Sequence, residues 1–381
     1  MSSVYNDIAT EAMSRIFNRV PRGFQCFVIP HLLKMLSGSL PKQPVLMVQP
    51  TGAGKSSVPL TTAVVDGGVT LIIENTLSLG SDQHTKVSSC ANSTSLRHIK
   101  SFHLDSFKND EIELHLSQSI LNHCCHNNNT SIIIFSSPEK LLKTVWIDFL
   151  LQCDSSKILN LICIDEIHLF VDFGCTFRTS FQLLNNKLFS KLRINNTTST
   201  VPLLLMTATF NYPLLRLLEK MIGFKVTPPN IFWADIKSFQ KRHINIKISY
   251  SMQHYNIMKQ NVFNELKNNS THKCIIITST AKQACESQDT MDSWLNIDNK
   301  LVGDSVLVVG SRDTELKFAF TTAFTMCKFD AKIPNENNEL KPRFLIGTSG
   351  CIGAGLDCKD VHFVFRMGIP TNLINFIQEM G

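Results

Sequence analysis

The stretch QPTGAGKSS, Gln49 to Ser57, constrains this chain more than any other. The apolar run before it, Val45 to Val48, reads as a buried strand that ends at Gln49. Gly52 and Gly54 let the backbone turn tightly, so that successive N–H groups from Thr51 through Ala53 to Ser57 point inward at an anion. Lys55 then reaches the β- and γ-phosphates of a nucleotide, and the Ser56 hydroxyl ligates Mg²⁺. The following SVPLTTAVV opens a helix whose positive end faces those phosphates. The strict GxxxxGK[ST] pattern is not met, because Gln49 stands at the first glycine position.

A second element turns the loop into a site. LICIDEIH, Leu161 to His168, is an apolar strand that ends in two adjacent carboxylates. Hydrolysis of a nucleoside triphosphate needs a carboxylate to hold Mg²⁺ and a polar group to orient the attacking water. Asp165 fits the metal role and Glu166 the water-activating role, with His168 on the adjoining turn linking the site to the rest of the molecule. Alone, an Asp-Glu pair after a strand is more often a solvated strand end. Downstream of QPTGAGKSS it reads as the catalytic half of a nucleotide-hydrolysing core with Lys55, Asp165, Glu166 and His168 as catalytic residues.

Composition sets the limits. A chain of 381 residues exceeds what one hydrophobic core usually holds, so two domains are expected. With 43% apolar and 18% charged residues it has an ordinary globular composition, and the net charge of +6 suits a polyanionic partner. Twelve cysteines without framework spacing indicate reduced thiols, and no apolar run is long enough to span a membrane. The HCCH run at His123–His126 offers metal-ligand types, but four adjacent residues do not wrap one tetrahedral ion as spaced pairs do.

Strands alternate with helix-length stretches throughout, which predicts an α/β fold of parallel sheets flanked by helices. The first set of strands is Val45–Val48, Leu71–Ile73, Ile132–Phe135, Leu161–Ile164 and Leu203–Met206. A second set begins near Ile244 and continues at Cys274, Ser305, Arg343 and Val361. Pro228, Pro229 and Asn230 break the periodicity between the sets, and the domains are expected at residues 1–230 and 231–381.

PTGxGKS is the phosphate-loop version of superfamily 2 helicases, and further segments resemble the RecQ family in their order along the chain. IENTLSLGSDQ from Ile73 resembles motif Ia through Leu77, Leu79, Asp82 and Gln83. IFSSPEKLL from Ile134 resembles motif Ib through Ser137, Pro138, Glu139 and Leu141, and LLMTATF resembles motif III through Thr207, Ala208 and Thr209. CIIITSTAKQACE at Cys274 is similar to motif IV, and FLIGTSGCIGAGLDCKDVHFVF from Phe344 to motif V. After Glu166, HLFVDFGCTFRTSF resembles the aromatic-rich loop of RecQ helicases, with Phe173 where the family usually places tryptophan. Aromatic faces stack on unpaired bases, worth roughly 1–3 kcal/mol per base, and Arg178 adds charge. By base rates a lone phenylalanine is core, but Gly174 and Arg178 favour an ordered loop.

VPRGFQCFVIPHLL resembles motif 0, with Arg22 and Gln25 three residues apart. A glutamine amide both donates to and accepts from an adenine edge, and Phe24 or Val20 is available to cover the base. The resemblance implies two tandem RecA-like domains with ATP and Mg²⁺ in their cleft. It assigns ATP to Arg22, Gln25 and the loop Thr51–Ser57, and Mg²⁺ to Ser56 and Asp165. It assigns coupling to Thr207, Thr209, Gly353, Gly355, Asp357 and Gln378. It assigns DNA, as a single strand and a fork or duplex junction, to Phe170, Phe173, Phe177, Arg178, Ser137 and Thr348. It also implies 3′-to-5′ travel, a nuclear location and no membrane partner. The chain ends INFIQEMG, matching the start of motif VI through Gln378, Glu379 and Gly381 but stopping before either arginine of Q-E-x-G-R-x-G-R. A core cut within motif VI is therefore expected, with hydrolysis impaired. A DEAD-box RNA helicase and a non-hydrolysing ATP- and nucleic-acid-binding remnant are the alternatives.

Overall fold

A computed structural model describes residues 2–74, 84, 87, 97–126, 129–168, 179–210, 212–235, 256, 272–297, 304–308, 342–348 and 361–369. The chain divides into two compact units, Met1–Gln240 and Lys241–Gly381.

The first unit is built on a seven-stranded sheet. Its strands are β1 (Pro44–Val48), β2 (Gly68–Ile73), β3 (His98–His103), β4 (Thr130–Ser136), β5 (Leu159–Ile164), β6 (Leu203–Thr207) and β7 (Ile231–Trp233). They lie in the order β3-β4-β2-β5-β6-β1-β7, every pair parallel. The inner strands are near-continuous runs of Val, Ile and Leu because both faces of a parallel sheet are covered.

Side-chain alternation divides each strand between two cores. Val45, Met47, Ile72, Ile133, Phe135, Leu161, Cys163, Leu204 and Met206 pack on one face. They meet helices α1 (Ser2–Phe17), α2 (Gln25–Leu36) and α3 (Ser57–Asp66). Leu46, Val48, Leu71, Ile73, Ile132, Ile134, Ile162, Ile164, Leu203 and Leu205 pack on the other. That face is covered chiefly by α4 (Asp110–His126), α6 (Thr144–Ser155), the helix opening at α7 (Thr179–Leu184) and α8 (Tyr212–Ile222), with the short α5 (Pro138–Leu141) between α4 and α6 in sequence.

The second unit holds a four-stranded parallel sheet, β11-β8-β10-β9, from β8 (Lys273–Thr278), β9 (Asp304–Val308), β10 (Pro342–Thr348) and β11 (Val361–Arg366). Its small core joins Cys274, Ile276, Leu307, Phe344 and Ile346 to Ala284 and Met291 of α9 (Ala281–Ile297).

All five strands expected in the first set form. Two strands were not anticipated. β3 is an edge strand of sequence HIKSFH in which Ile99 alone is buried, so it lacks an apolar run. β7 is three residues long. Its backbone pairs with β1 from Leu46↔Ile231 to Val48↔Trp233, which places these residues in the first sheet, just past the expected edge at residue 230. The strand expected near Ile244 lies outside the described residues. Among the described residues no helix is long and apolar enough to cross a membrane.

Candidate nucleotide-binding site

The site forms where β1, β5 and β6 end. In open parallel sheets, ligands bind beyond the carboxyl ends of the strands. β1 stops at Val48, and the Gln49 amide, donating to the Thr207 carbonyl at 3.0 Å, carries the pairing with β6 one step into the loop. Gly52 and Gly54 then adopt φ of 75° and 89°, a left-handed conformation that only glycine enters without strain. At Gly54 space is closed as well, because a Cβ there would come within 2.9 Å of the Gln25 amide nitrogen. The loop delivers the chain into α3 with Ser56 as N-cap.

Lys55 is 8% exposed, and its ammonium donates to the loop carbonyls of Gln49 (3.3 Å) and Pro50 (3.5 Å). These bonds are long for a charged donor, which normally closes to about 2.7–2.9 Å. A phosphate would offer it a stronger partner.

Gln25 opens α2 and clasps the loop. Its Nε2 donates to the Gly54 carbonyl (3.0 Å) and the Ser57 hydroxyl (2.9 Å), and its Oε1 accepts from the Arg22 amide (2.8 Å). The Ser57 hydroxyl in turn donates to the Gly54 carbonyl at 2.7 Å. Motif 0 and the phosphate loop are thus one hydrogen-bonded unit, with both Nε2 protons engaged on the loop. Phe24 packs against the α1–α2–α3 core, whereas Val20 is 63% exposed.

At the end of β5 the Asp165 amide donates to the Ile73 carbonyl (3.0 Å), and Asp165 Oδ1 accepts from the Glu166 amide (2.9 Å). Glu166 has φ of 48°, a left-handed backbone uncommon for a residue with a side chain. The chain then returns to the sheet through Ile167, whose amide donates to the Met206 carbonyl at 2.9 Å. Burial raises the Glu166 carboxyl above its ordinary range, while the Lys55 charge and the Ala208 amide pull the other way.

His168 is fully buried, with Nδ1 2.9 Å from Thr207 Oγ1 and 3.3 Å from Glu166 Oε2. The Thr207 hydroxyl donates to the Thr209 carbonyl (3.0 Å) and accepts from the Thr209 amide (3.2 Å). Its one proton being committed, Thr207 accepts from His168, which assigns the imidazole proton to Nδ1. One ring nitrogen therefore bonds the turn of TAT and stands close to the carboxylate of DEIH.

Mg²⁺ takes oxygen ligands and keeps several waters. The Ser56 hydroxyl and the buried Asp165 carboxylate are donors of that type, at the loop and strand ends where the phosphates are expected.

The expected nucleic-acid residues fall in different places. Ser137 caps α5, its Oγ accepting from the Lys140 amide (3.3 Å). Both the Ser137 amide (2.8 Å) and its hydroxyl (2.5 Å) donate to the Asp105 carboxylate. Thr348 ends β10, opposite Thr278 in the second unit. Phe170, Phe173, Phe177, Arg178, Gly353, Gly355, Asp357 and Gln378 lie outside the described residues.

Two acidic residues had no role in the sequence reading. Glu113 of α4 is fully buried and gathers Lys140 (2.7 Å), Lys143 (2.8 Å) and the Trp146 indole (2.8 Å). Burial disfavours its charge, but these bonds together outweigh it and hold the carboxyl below the usual glutamate range. Glu74, 2% exposed, follows β2 directly. Its signal was the one that marked Asp165, a carboxylate immediately after an apolar run.

A family model described as DEAD/DEAH box helicase matches residues 23–217, about half the chain. A putative ATP-dependent DNA helicase Q1 of Caenorhabditis briggsae is 23% identical over 350 residues, covering 91% of this chain and 49% of that protein. The chain spans about half the length, or less, of the curated relatives it matches: 49%, 36% and 23% of the first three. Among solved structures, the helicase MrfA bound to DNA superposes with a TM-score of 0.68 at 16% identity, covering 100% of this chain and 49% of that one. Dbp5 of S. cerevisiae bound to RNA and ADP BeF3 gives 0.62 at 14% identity, covering 98% and 83%. At these identities the structures establish the fold, which is that of RecA-like helicase domains.

Proposed function

The chain belongs to the DEAD/DEAH box helicase family, and from that premise we propose that it is the core of a RecQ-like, ATP-dependent DNA helicase moving 3′ to 5′ along a single strand. The observation that carries the reading is the junction at His168, which joins Glu166 to Thr207 and Thr209 while Lys55 lies close enough to act on the Glu166 charge. Phosphate binding, water activation and the turn after β6 are thereby linked through side chains rather than through distant backbone.

In this reading Lys55 and the loop amides from Thr51 to Ser57 hold the nucleotide phosphates, and Gln25 keeps the loop in its binding shape. Mg²⁺, held by Ser56 and Asp165, neutralises phosphate charge when bound. Glu166 accepts the proton of the attacking water, for which a raised pKa makes it the stronger base. Ser137, Thr348 and the aromatic segment Phe170, Phe173, Phe177 and Arg178 contact the strand. Gly353, Gly355, Asp357 and Gln378 couple that contact to hydrolysis. DNA as the substrate follows the name of the C. briggsae relative, and a nuclear location goes with it. The fold shared with RNA-bound Dbp5 favours RNA as the second reading.

The test is ATP turnover with single-stranded DNA or RNA of the same sequence. DNA should stimulate more than RNA, and Phe173→Ala or Arg178→Ala should reduce that stimulation more than basal turnover. Stimulation by RNA alone would replace this reading with the second.

A further inference from the structure

One buried carboxylate beside the end of β5 comes from neither DEIH nor the phosphate loop. β2 and β5 are neighbours, paired in register from Thr70↔Leu161 to Ile73↔Ile164. The ladder runs one residue further on β5, where the Asp165 amide donates to the Ile73 carbonyl (3.0 Å), and on its other side β2 continues to Glu74, whose amide donates to the Ser136 carbonyl of β4 (3.0 Å). Glu74 and Asp165 are therefore successive positions beyond a matched pair, on strands about 4.8 Å apart.

Alternation sets their side. Ile72 and Cys163 pack in the core that contains α3, while Ile73 and Ile164 pack in the opposite one. The residues that follow, Glu74 and Asp165, return to the α3 side, the side onto which the phosphate loop leads. Both are almost wholly buried, at 2% and 4% exposure.

Resting on the reading of this site as a Mg²⁺–nucleotide site, we infer that Glu74 is a further positioning residue, accepting hydrogen bonds from water in the metal's hydration shell beside Asp165. Its place is the outer shell, with Asp165 as the carboxylate that meets the ion and Mg²⁺ keeping several of its waters. Mg²⁺ gives up its water reluctantly, so a carboxylate one layer out orients the ion through those waters.

The experiment is calorimetric titration of the full chain and of Glu74→Gln with ADP, each with Mg²⁺ and with EDTA, beside their melting temperatures. Loss of an outer-shell partner typically costs 10–100-fold in metal affinity, so Mg·ADP should bind Glu74→Gln about tenfold more weakly. ADP in EDTA should bind it as well as or better than it binds the unaltered chain, since a negative charge near the phosphates has been removed. A purely structural role would weaken both titrations together and lower the melting temperature. If Glu74→Gln does not fold, Glu74→Asp, which keeps the charge but withdraws it by one methylene, should show the same selective loss. An unchanged ratio of Mg·ADP to ADP affinity in the variant, with strong Mg²⁺ dependence in the unaltered chain, overturns this role for Glu74 alone. No ADP binding by the unaltered chain overturns the nucleotide reading and the inference together.

Discussion

The phosphate loop and the turn after β4 lie at the same edge of one sheet, yet their polar side chains are held in opposite ways. In the loop, Lys55 rests on two carbonyls at 3.3 and 3.5 Å, contacts a better acceptor would displace. After β4, Ser137 meets Asp105 at 2.5 and 2.8 Å, and Lys140 and Lys143 meet the buried Glu113 at 2.7 and 2.8 Å. Charge-assisted bonds of that length are not readily exchanged. In the proposed reading the first region changes partners when a ligand arrives. The second is arranged to keep its shape whether or not one does.

The largest expected effect lies in the first region. Glu166→Gln keeps the volume of the side chain but cannot accept the water proton, so whatever turnover the unaltered chain supports should fall to background while Mg·ATP affinity stays within a few-fold. In the unaltered chain turnover should decline as pH falls through the raised Glu166 pKa, at a higher pH than an ordinary glutamate would give. A stopped-flow phosphate assay across pH checks both, and turnover equal to that of the unaltered chain would remove Glu166 from catalysis.

The next effect lies in the second region and concerns stability. Glu113→Gln leaves Lys140 without its carboxylate, and breaking one side of a buried pair costs about 3 kcal/mol. The folded pKa of Glu113 is depressed, so its stabilisation is present above the unfolded pKa and lost as pH falls through the folded one. Urea melts of the two proteins should differ clearly at neutral pH and converge at acid pH below the usual glutamate range. A constant difference at all pH would mean that packing, not charge, holds the turn.

A smaller effect sharpens the contrast at one residue. Ser137→Ala removes an N-cap and should cost about 1 kcal/mol in a thermal melt. Single-stranded DNA binding should weaken as well; if it does while stability is unchanged, the cap does not hold the turn, and the second region also exchanges partners.

The sequence made the site's loop and strand ends legible because their chemistry is local: QPTGAGKSS and DEIH are each read from adjacent residues after an apolar run. The inner strands were legible for the same reason, since burial on both faces leaves continuous Val, Ile and Leu. β3 and β7 were not, because an edge strand with one buried side chain and a strand of three residues carry little periodic signal. The linkage was also hidden. That Gln25 clasps Gly54 and Ser57 depends on the packing of α2 beside α3, and that Glu113 gathers Lys140, Lys143 and Trp146 depends on α4 crossing to α6. Pattern within a segment cannot report contacts between segments. Glu74 shows the remaining gap, a signal of the right kind whose meaning came from its register with Asp165.

The central claim is that Lys55 sits on carbonyls only until phosphate replaces them. Calorimetric titration of Mg·ATP into the unaltered chain and into Lys55→Ala tests it most directly. One nucleotide should bind per chain, and the substitution should weaken it about 100-fold, in the range expected for removing one partner of a buried charge pair. The melting temperature without nucleotide should scarcely move, because the bonds lost are long ones to carbonyls. Equal affinity of the two proteins for Mg·ATP would contradict the account.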